Sequence, residues 1–182
     1  MGEIRKKQLV LPFVAAFASE QRAVDRGREM LSDVFGEPIF MSRFFRFDEF
    51  TDYYEPSMGR VLYKQLWSFG KLWDPENLAD LKITTNGFEE EYARQSHDTA
   101  AVKRPLNLDP GYIDLGKLVL ASTKDHSHRI YLRNGIFAEV TLIYTKKIWQ
   151  KLPWTYPDYQ SSDYHEFLNQ SRDYLHAELN RK

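Results

Sequence analysis

The run SHRIYLRNGIFAEVTLIY, residues 127–144, constrains the fold of this chain more than any other stretch. Asn134-Gly135 lies between two segments rich in β-branched and aromatic residues. Both turn residues tolerate a positive φ, so the dipeptide predicts a two-residue β-hairpin turn. Counting outward, Arg133 should face Ile136, Leu132 Phe137, Ile130 Glu139 and His128 Thr141. Alternation then puts His128, Ile130, Leu132, Phe137, Glu139 and Thr141 on one face, and Arg129, Tyr131, Arg133, Ala138 and Val140 on the other. His128 and Glu139 become diagonal neighbours.

The N-terminal half gives an order of elements. Residues 9–18 form an apolar run that predicts a first strand. Its basic start and Ala16-Phe17-Ala18 resemble a secretory signal, but Glu3 and Pro12 do not fit one, and the strand is preferred. A helical stripe follows from about Glu20 to Phe35 and ends at Gly36 and Pro38. Residues 38–50 read as a strand, 51–60 as a long turn, and 61–73 as another strand. Asp74-Pro75-Glu76 has the form of a helix start, and the helix should run to about Arg94. Residues 93–104 are polar and read as a loop. Residues 103–108 would supply a fourth strand. The order is the βαββαβ of a ferredoxin-like unit. Beyond it, Asp114 is expected to cap a short helix through LGKLVLAST, followed by the hairpin and a terminal helix from about Ser161. The reading is one α+β domain, with residues 1–113 as its ferredoxin-like half and 114–182 as a helix-hairpin-helix extension.

Composition narrows the chemistry. The 182 residues suit one domain with a good core. The chain has no cysteine, which removes disulfides, thiolate nucleophiles and Cys-based metal sites. A formal net charge of -1 argues against nucleic-acid binding by bulk charge. No apolar run reaches the roughly 20 residues of a membrane-spanning helix. A cytoplasmic protein without membrane contact is expected.

Gly111 to Lys117 has the Gly-x4-Gly-Lys spacing of a phosphate-binding loop. The mechanism of such a loop needs a hydroxyl after the lysine for Mg²⁺ and a buried strand before the first glycine. Leu118 stands where the hydroxyl belongs, and Asp109 and Asp114 would repel phosphate. The spacing is read as incidental, with Asp109-Pro110-Gly111-Tyr112 as a turn that uses Gly111.

Polar residues are nonetheless dense around this stretch. A carboxylate beside an imidazole orients the ring, as acid–base catalysis or metal binding requires. His128 and Glu139, with Asp109 as a second carboxylate, are therefore the candidate catalytic groups. Candidate ligand-binding residues are Asn107, Tyr112, Lys117, Lys124, Arg129 and Tyr131, the basic ones suited to phosphate and the rings to stacking. His126, His128 and Glu139 are candidate ligands for a divalent metal ion. Each residue taken singly also has a structural reading: turn polarity for Asn107 and Asp109, a solvated face for the basic side chains.

The segments NLDPGYI, KLVLASTKDHSHRIYL, GIFAEVTLIY and LPWTYPDY, with FDEFTDYYEPSMG and LWDPENLADLKITTN, resemble the small bacterial proteins of domain-of-unknown-function family 4416. The likeness covers nearly the whole chain. It implies an uncharacterised protein, and some members carry a GTP-binding label. It supplies no catalytic residues. The leading expectation is an enzyme or binding protein for a phosphate-bearing ligand, a nucleotide or RNA, with its site between the NLDPGY turn and the hairpin at 128–141. The alternatives are a noncatalytic RNA-binding module using Arg129, Tyr131, Arg133, Trp154 and Tyr156, and a protein-interaction module.

Overall fold

The computed structural model describes residues 2–3, 7–96 and 102–181. In chain order its elements are β1 (Leu11–Ala18), α1 (Gln21–Phe35), β2 (Pro38–Met41), β3 (Phe45–Arg46), α2 (Glu55–Met58), β4 (Tyr63–Phe69) and α3 (Leu78–Gln95). There follow β5 (Asn107–Ile113), β6 (Lys117–Ser122), β7 (Ile130–Arg133), β8 (Ile136–Thr145), β9 (Ile148–Lys151) and α4 (Ser162–Asn180). The fold is α+β. One antiparallel sheet runs β2-β4-β1-β5-β6-β8-β7, with β3 beside β4 and β9 beside β8. No helix among the described residues is long and apolar enough to cross a membrane.

β1 is central, and all eight of its residues are buried. That explains an apolar run without alternation: both faces of the strand are covered. On one face Val14, Ala16 and Ala18 pack with Trp67 and Phe69 of β4 under α1 and α3. On the other, Leu11, Phe13 and Ala15 pack with Leu66, Ile113, Leu118 and Leu120 under α4, which supplies Tyr164, Phe167, Leu168 and Leu175. The α1 stripe of Ala23, Val24, Met30, Leu31 and Phe35 is the face it buries, and Gly36 ends the helix at a φ of 79°. Asp74 accepts a hydrogen bond from the Glu76 amide and opens the 3₁₀ turn that leads into α3. Ser161 caps α4 by accepting from the Tyr164 amide.

The strand predicted over residues 38–50 is two short strands, β2 and β3, on the same edge of β4. The larger correction concerns residues 103–122. The fourth strand lies at Asn107–Ile113, not 103–108, so the NLDPGY segment is strand rather than turn. Residues 117–122 are β6, not a helix. A short apolar run fits a fully buried strand as well as a helix, and burial on both faces decides. Leu118, Val119, Leu120 and Ala121 are all buried, with β5 on one side and β8 on the other. Asp114 caps the turn between the strands instead of a helix: its Oδ1 accepts from the amides of Gly116 and Lys117 at 2.6 and 2.8 Å. β6 carries the sheet straight across the boundary expected at residue 113.

Pro110 and Gly111 shape the junction of β5 and β6. A Cβ on Gly111 would lie 2.2 Å from the Val119 carbonyl oxygen, so only glycine permits so close an approach. Pairing begins at Gly111–Leu120 and runs toward the turn. One residue earlier stands Pro110, which has no N–H to give β6. The ladder ends there and the two strands separate as a fork.

The hairpin forms at Asn134-Gly135, with φ values of 54° and 76°. Arg133 faces Ile136 as expected, but a bulge follows: Tyr131 pairs with Phe137 and Ile130 with Ala138. The predicted pairs Leu132–Phe137, Ile130–Glu139 and His128–Thr141 are therefore displaced, because Leu132 is an extra residue in β7. His126 and His128 lie before the strand, in a turn closed by the Arg129 amide on the His126 carbonyl.

Candidate functional site

The fork leaves the peptide of Leu108 without a strand on its β6 side. Side chains of α3 take that place. Glu89 Oε1 accepts from the Leu108 amide at 2.8 Å, and Lys82 Nζ donates to the Leu108 carbonyl at 2.9 Å. Arg104 holds the other oxygen of Glu89 at 2.8 Å. Burial pushes the Glu89 carboxyl above the usual carboxylate range, against the opposing pull of Lys82 and Arg104. Lys82 also lies 3.5 Å from Asp109.

Register places the remaining groups on one sheet face. Phe17 pairs with both Lys64 and Asn107, and Ala15 with Leu66 and Asp109. Leu120 pairs with Gly111 on one side and Glu139 on the other. Lys64, Asn107, Asp109, Leu120 and Glu139 therefore face the side on which α4 packs. Where α4 does not reach, two cavities open. The larger, about 340 Å³, is walled by Phe47, Phe50, Tyr53, Tyr54, Tyr156 and Tyr159, with Lys64, Asp158, Lys124 and His126. The smaller, about 120 Å³, fills the fork and is lined by Lys82, Arg104, Asn107, Ser122, Arg129 and Glu139. Both share Tyr54, Asp109, Leu120, Lys124 and Tyr156, so they form two compartments of one cleft.

Two buried charge pairs, Lys64–Asp158 and Arg129–Glu139, are held firmly. Lys64 and Asp158 pair at 2.7 Å while 3% and 1% exposed. Tyr164 donates to the same Asp158 oxygen at 2.7 Å, and Lys64 Nζ sits 4.3 Å from the Phe47 ring centre and 4.8 Å from that of Tyr159. Burial drives the phenols of Tyr159 and Tyr164 well above their ordinary value. Glu139 takes Arg129 Nε at 2.8 Å and His128 Nε2 at 3.0 Å, and Arg129 also donates to Ser122 Oγ and the Lys124 carbonyl. Asp109 has only the 3.5 Å contact with Lys82. Lys124 donates to the Tyr53 hydroxyl at 2.9 Å and lowers that phenol's pKa.

Of the residues singled out from the sequence, Asn107, Asp109, Lys124, His126, Arg129 and Glu139 line the cleft. His128 stands behind it, its ring stacked between Trp154 at 4.9 Å and His126 at 5.8 Å. Its contact with Glu139 is the one expected, although the register expected to produce it is not. Arg129, assigned to the opposite face, joins them on Glu139 because it precedes the strand. Three others are elsewhere. Tyr112 packs on the α3 side with Leu78 and Val119. Lys117 pairs with Asp114 at 2.5 Å at the far end of β6. Tyr131 is exposed on β7 against the Phe137 ring. His128 bonds Glu139 and stacks on the His126 ring, but among the described residues no three His, Asp or Glu side chains are grouped to hold a metal ion.

The sequence reading missed Lys64, Lys82 and Asp158, and the rings of Phe47, Phe50, Tyr53 and Tyr54. Two of these carried a signal. Lys64 is two residues from Leu66 and four from Ser68, so alternation aims it inward. Lys82 lies four residues after Leu78 and one after Leu81, on the buried stripe of α3.

A family model described as a domain of unknown function, DUF4416, matches residues 8–174. No curated protein and no solved structure matches the chain. The matched span runs from just before β1 into α4 and takes in every group that lines the cleft, and on that match the chain belongs to the DUF4416 family.

Proposed function

We propose that the chain binds a small phosphate-bearing ligand with a planar ring, a nucleotide-like molecule, in the cleft between the β5–β6 fork and the aromatic loop at residues 47–54. The observation that carries the reading is the joining of two unlike compartments. One is walled by rings that can stack on a planar group. The other presents Lys82, Arg104, Lys124 and Arg129 against Asp109 and Glu139. Concave sites with apolar walls and a few converging polar groups are the usual form of small-molecule sites. Asp109 is the group best placed to act on a ligand, since Asp158 and Glu139 are already committed to close partners. His128 then acts on the site through Glu139 and the His126 ring. The antiparallel order β2-β4-β1-β5 supports a ferredoxin-like reading of the first half.

The RNA-binding alternative is less well supported. Arg133 is tied to Asp80 at 2.6 Å, and Tyr131 is exposed on β7 and lines neither compartment of the cleft that Tyr156 lines.

Calorimetric titration with nucleoside mono-, di- and triphosphates tests the reading, alongside thermal shifts, because a ligand specific for the native state raises apparent stability. Saturable binding to one site, weakened by Lys124→Ala and by Tyr54→Ala, is the expected result. Absence of saturable binding across the panel, or affinity indifferent to both substitutions, overturns it.

A further inference from the structure

The fork holds a donor without an acceptor. Asn107 is 1% exposed, and its Nδ2 makes no hydrogen bond. Buried polar groups are nearly always satisfied, so an unanswered amide lining a cavity points to an acceptor that arrives with a ligand. The charge around it has one sign in excess: Lys82, Arg104, Lys124 and Arg129 meet Asp109, Glu139 and, behind Lys82 and Arg104, Glu89, which leaves one positive charge over, whereas the aromatic compartment balances Lys64 and Lys124 against Asp109 and Asp158. The acceptor that suits this end of the cleft is anionic. At the back of the fork Lys82 and Glu89 bond the Leu108 peptide.

We infer that the fork is a subsite for the terminal phosphate of a phosphate monoester, with Asn107 Nδ2 donating to a phosphate oxygen. The planar remainder of the ligand lies in the aromatic compartment. A phosphodiester within a strand carries a nucleoside on both sides of the phosphorus, more than a recess of about 120 Å³ holds. This inference rests on the cleft reading above and gives it a direction and a substrate class: 5′-mononucleotide-like monoesters rather than RNA backbone.

The test compares AMP, GMP, CMP and UMP with their parent nucleosides and with dinucleoside monophosphates, by calorimetry on the full chain. In the unmodified protein a monoester should bind at least tenfold more tightly than its nucleoside, about the worth of one hydrogen bond to a charged group, and the dinucleoside should gain nothing. Asn107→Ala should reduce that ratio toward one while leaving nucleoside affinity unchanged. Arg104→Gln, at a half-exposed position, should reduce it as well and serves if Asn107→Ala fails to fold. A monoester ratio that survives both substitutions, or a dinucleoside that binds as well as the monoester, overturns the fork assignment and leaves the cleft reading standing. If no probe saturates the protein, both fall.

Discussion

Pro110 and Ala121 stand where the next rung of the β5–β6 ladder would be, and Pro110 has no hydrogen to close it. The Leu108 N–H, two residues earlier, points the same way and is taken by Glu89. The fork is thus written into the backbone of one residue, with α3 supplying the bonds that β6 does not.

Pro110→Ala should restore the missing donor and let the ladder grow into the fork. The added hydrogen bond contributes about 0.5–1.5 kcal/mol, and the freer unfolded chain costs about 0.4–1 kcal/mol. Stability should therefore change by less than about 1 kcal/mol, while the new amide at residue 110 exchanges slowly, as a ladder-bonded amide does, and nucleotide affinity falls. Exchange measurements with calorimetry check both. Gly111→Ala should behave oppositely. Its Cβ meets backbone at 2.2 Å, so a loss at or above the upper end of the usual 1–3 kcal/mol for overpacking is expected in urea unfolding.

Lys64→Met leaves Asp158 buried without its cation. A loss of about 3–5 kcal/mol is expected from breaking a buried pair on one side. Adding Asp158→Asn removes the stranded charge and keeps an acceptor for the Tyr164 hydroxyl, so the double variant should recover much of that loss. Equal stability of the single and double variants in denaturant titrations would show that the pair is not coupled.

Arg46 holds Asp48 down to a pKa of about 2, and the Leu62 amide adds to the effect. A carboxyl with a lowered folded pKa stabilises the protein above its unfolded value, near 4, and that contribution is lost as pH falls toward 2. Asp48 adjoins Phe47 and Phe50, which wall the cleft. Thermal midpoints of the unmodified protein should fall across this window. Asp48→Asn should flatten that part of the curve and lower the midpoint at neutral pH.

Arg133→Ala breaks an exposed pair with Asp80, and such pairs contribute at most about 1 kcal/mol. Stability should barely move, and retention of single-stranded RNA on filters should not change. A large fall in RNA retention would favour the RNA-binding alternative.

The parts of the fold set by local rules were readable: β1, α1, β4, the Asn134-Gly135 turn and α4 all follow from periodicity, caps or turn chemistry. Residues 117–122 were not, because a four-residue apolar core is equally apolar in a strand and in a helix, and only β5 and β8 on either side decide. Pro110-Gly111 looked like a turn because both residues favour turns. In fact Gly111 admits a neighbouring backbone and Pro110 ends a ladder, two long-range facts. The candidate site was half legible. Asn107, Asp109, Lys124 and Glu139 were found by their density in the chain, whereas Lys64 and Asp158, 94 positions apart, meet only through the sheet and the 3₁₀ turn at Pro157–Gln160 that precedes α4.

The extra residue in β7 affects more than register. β7 ends the sheet and carries Ile130, Tyr131 and Leu132 exposed to solvent. A flat strand of that composition would offer another polypeptide a row of unpaired amides and a greasy surface on which to add. The bulge at Leu132 interrupts the row and increases the local twist, so the edge is a poor template for intermolecular strand addition.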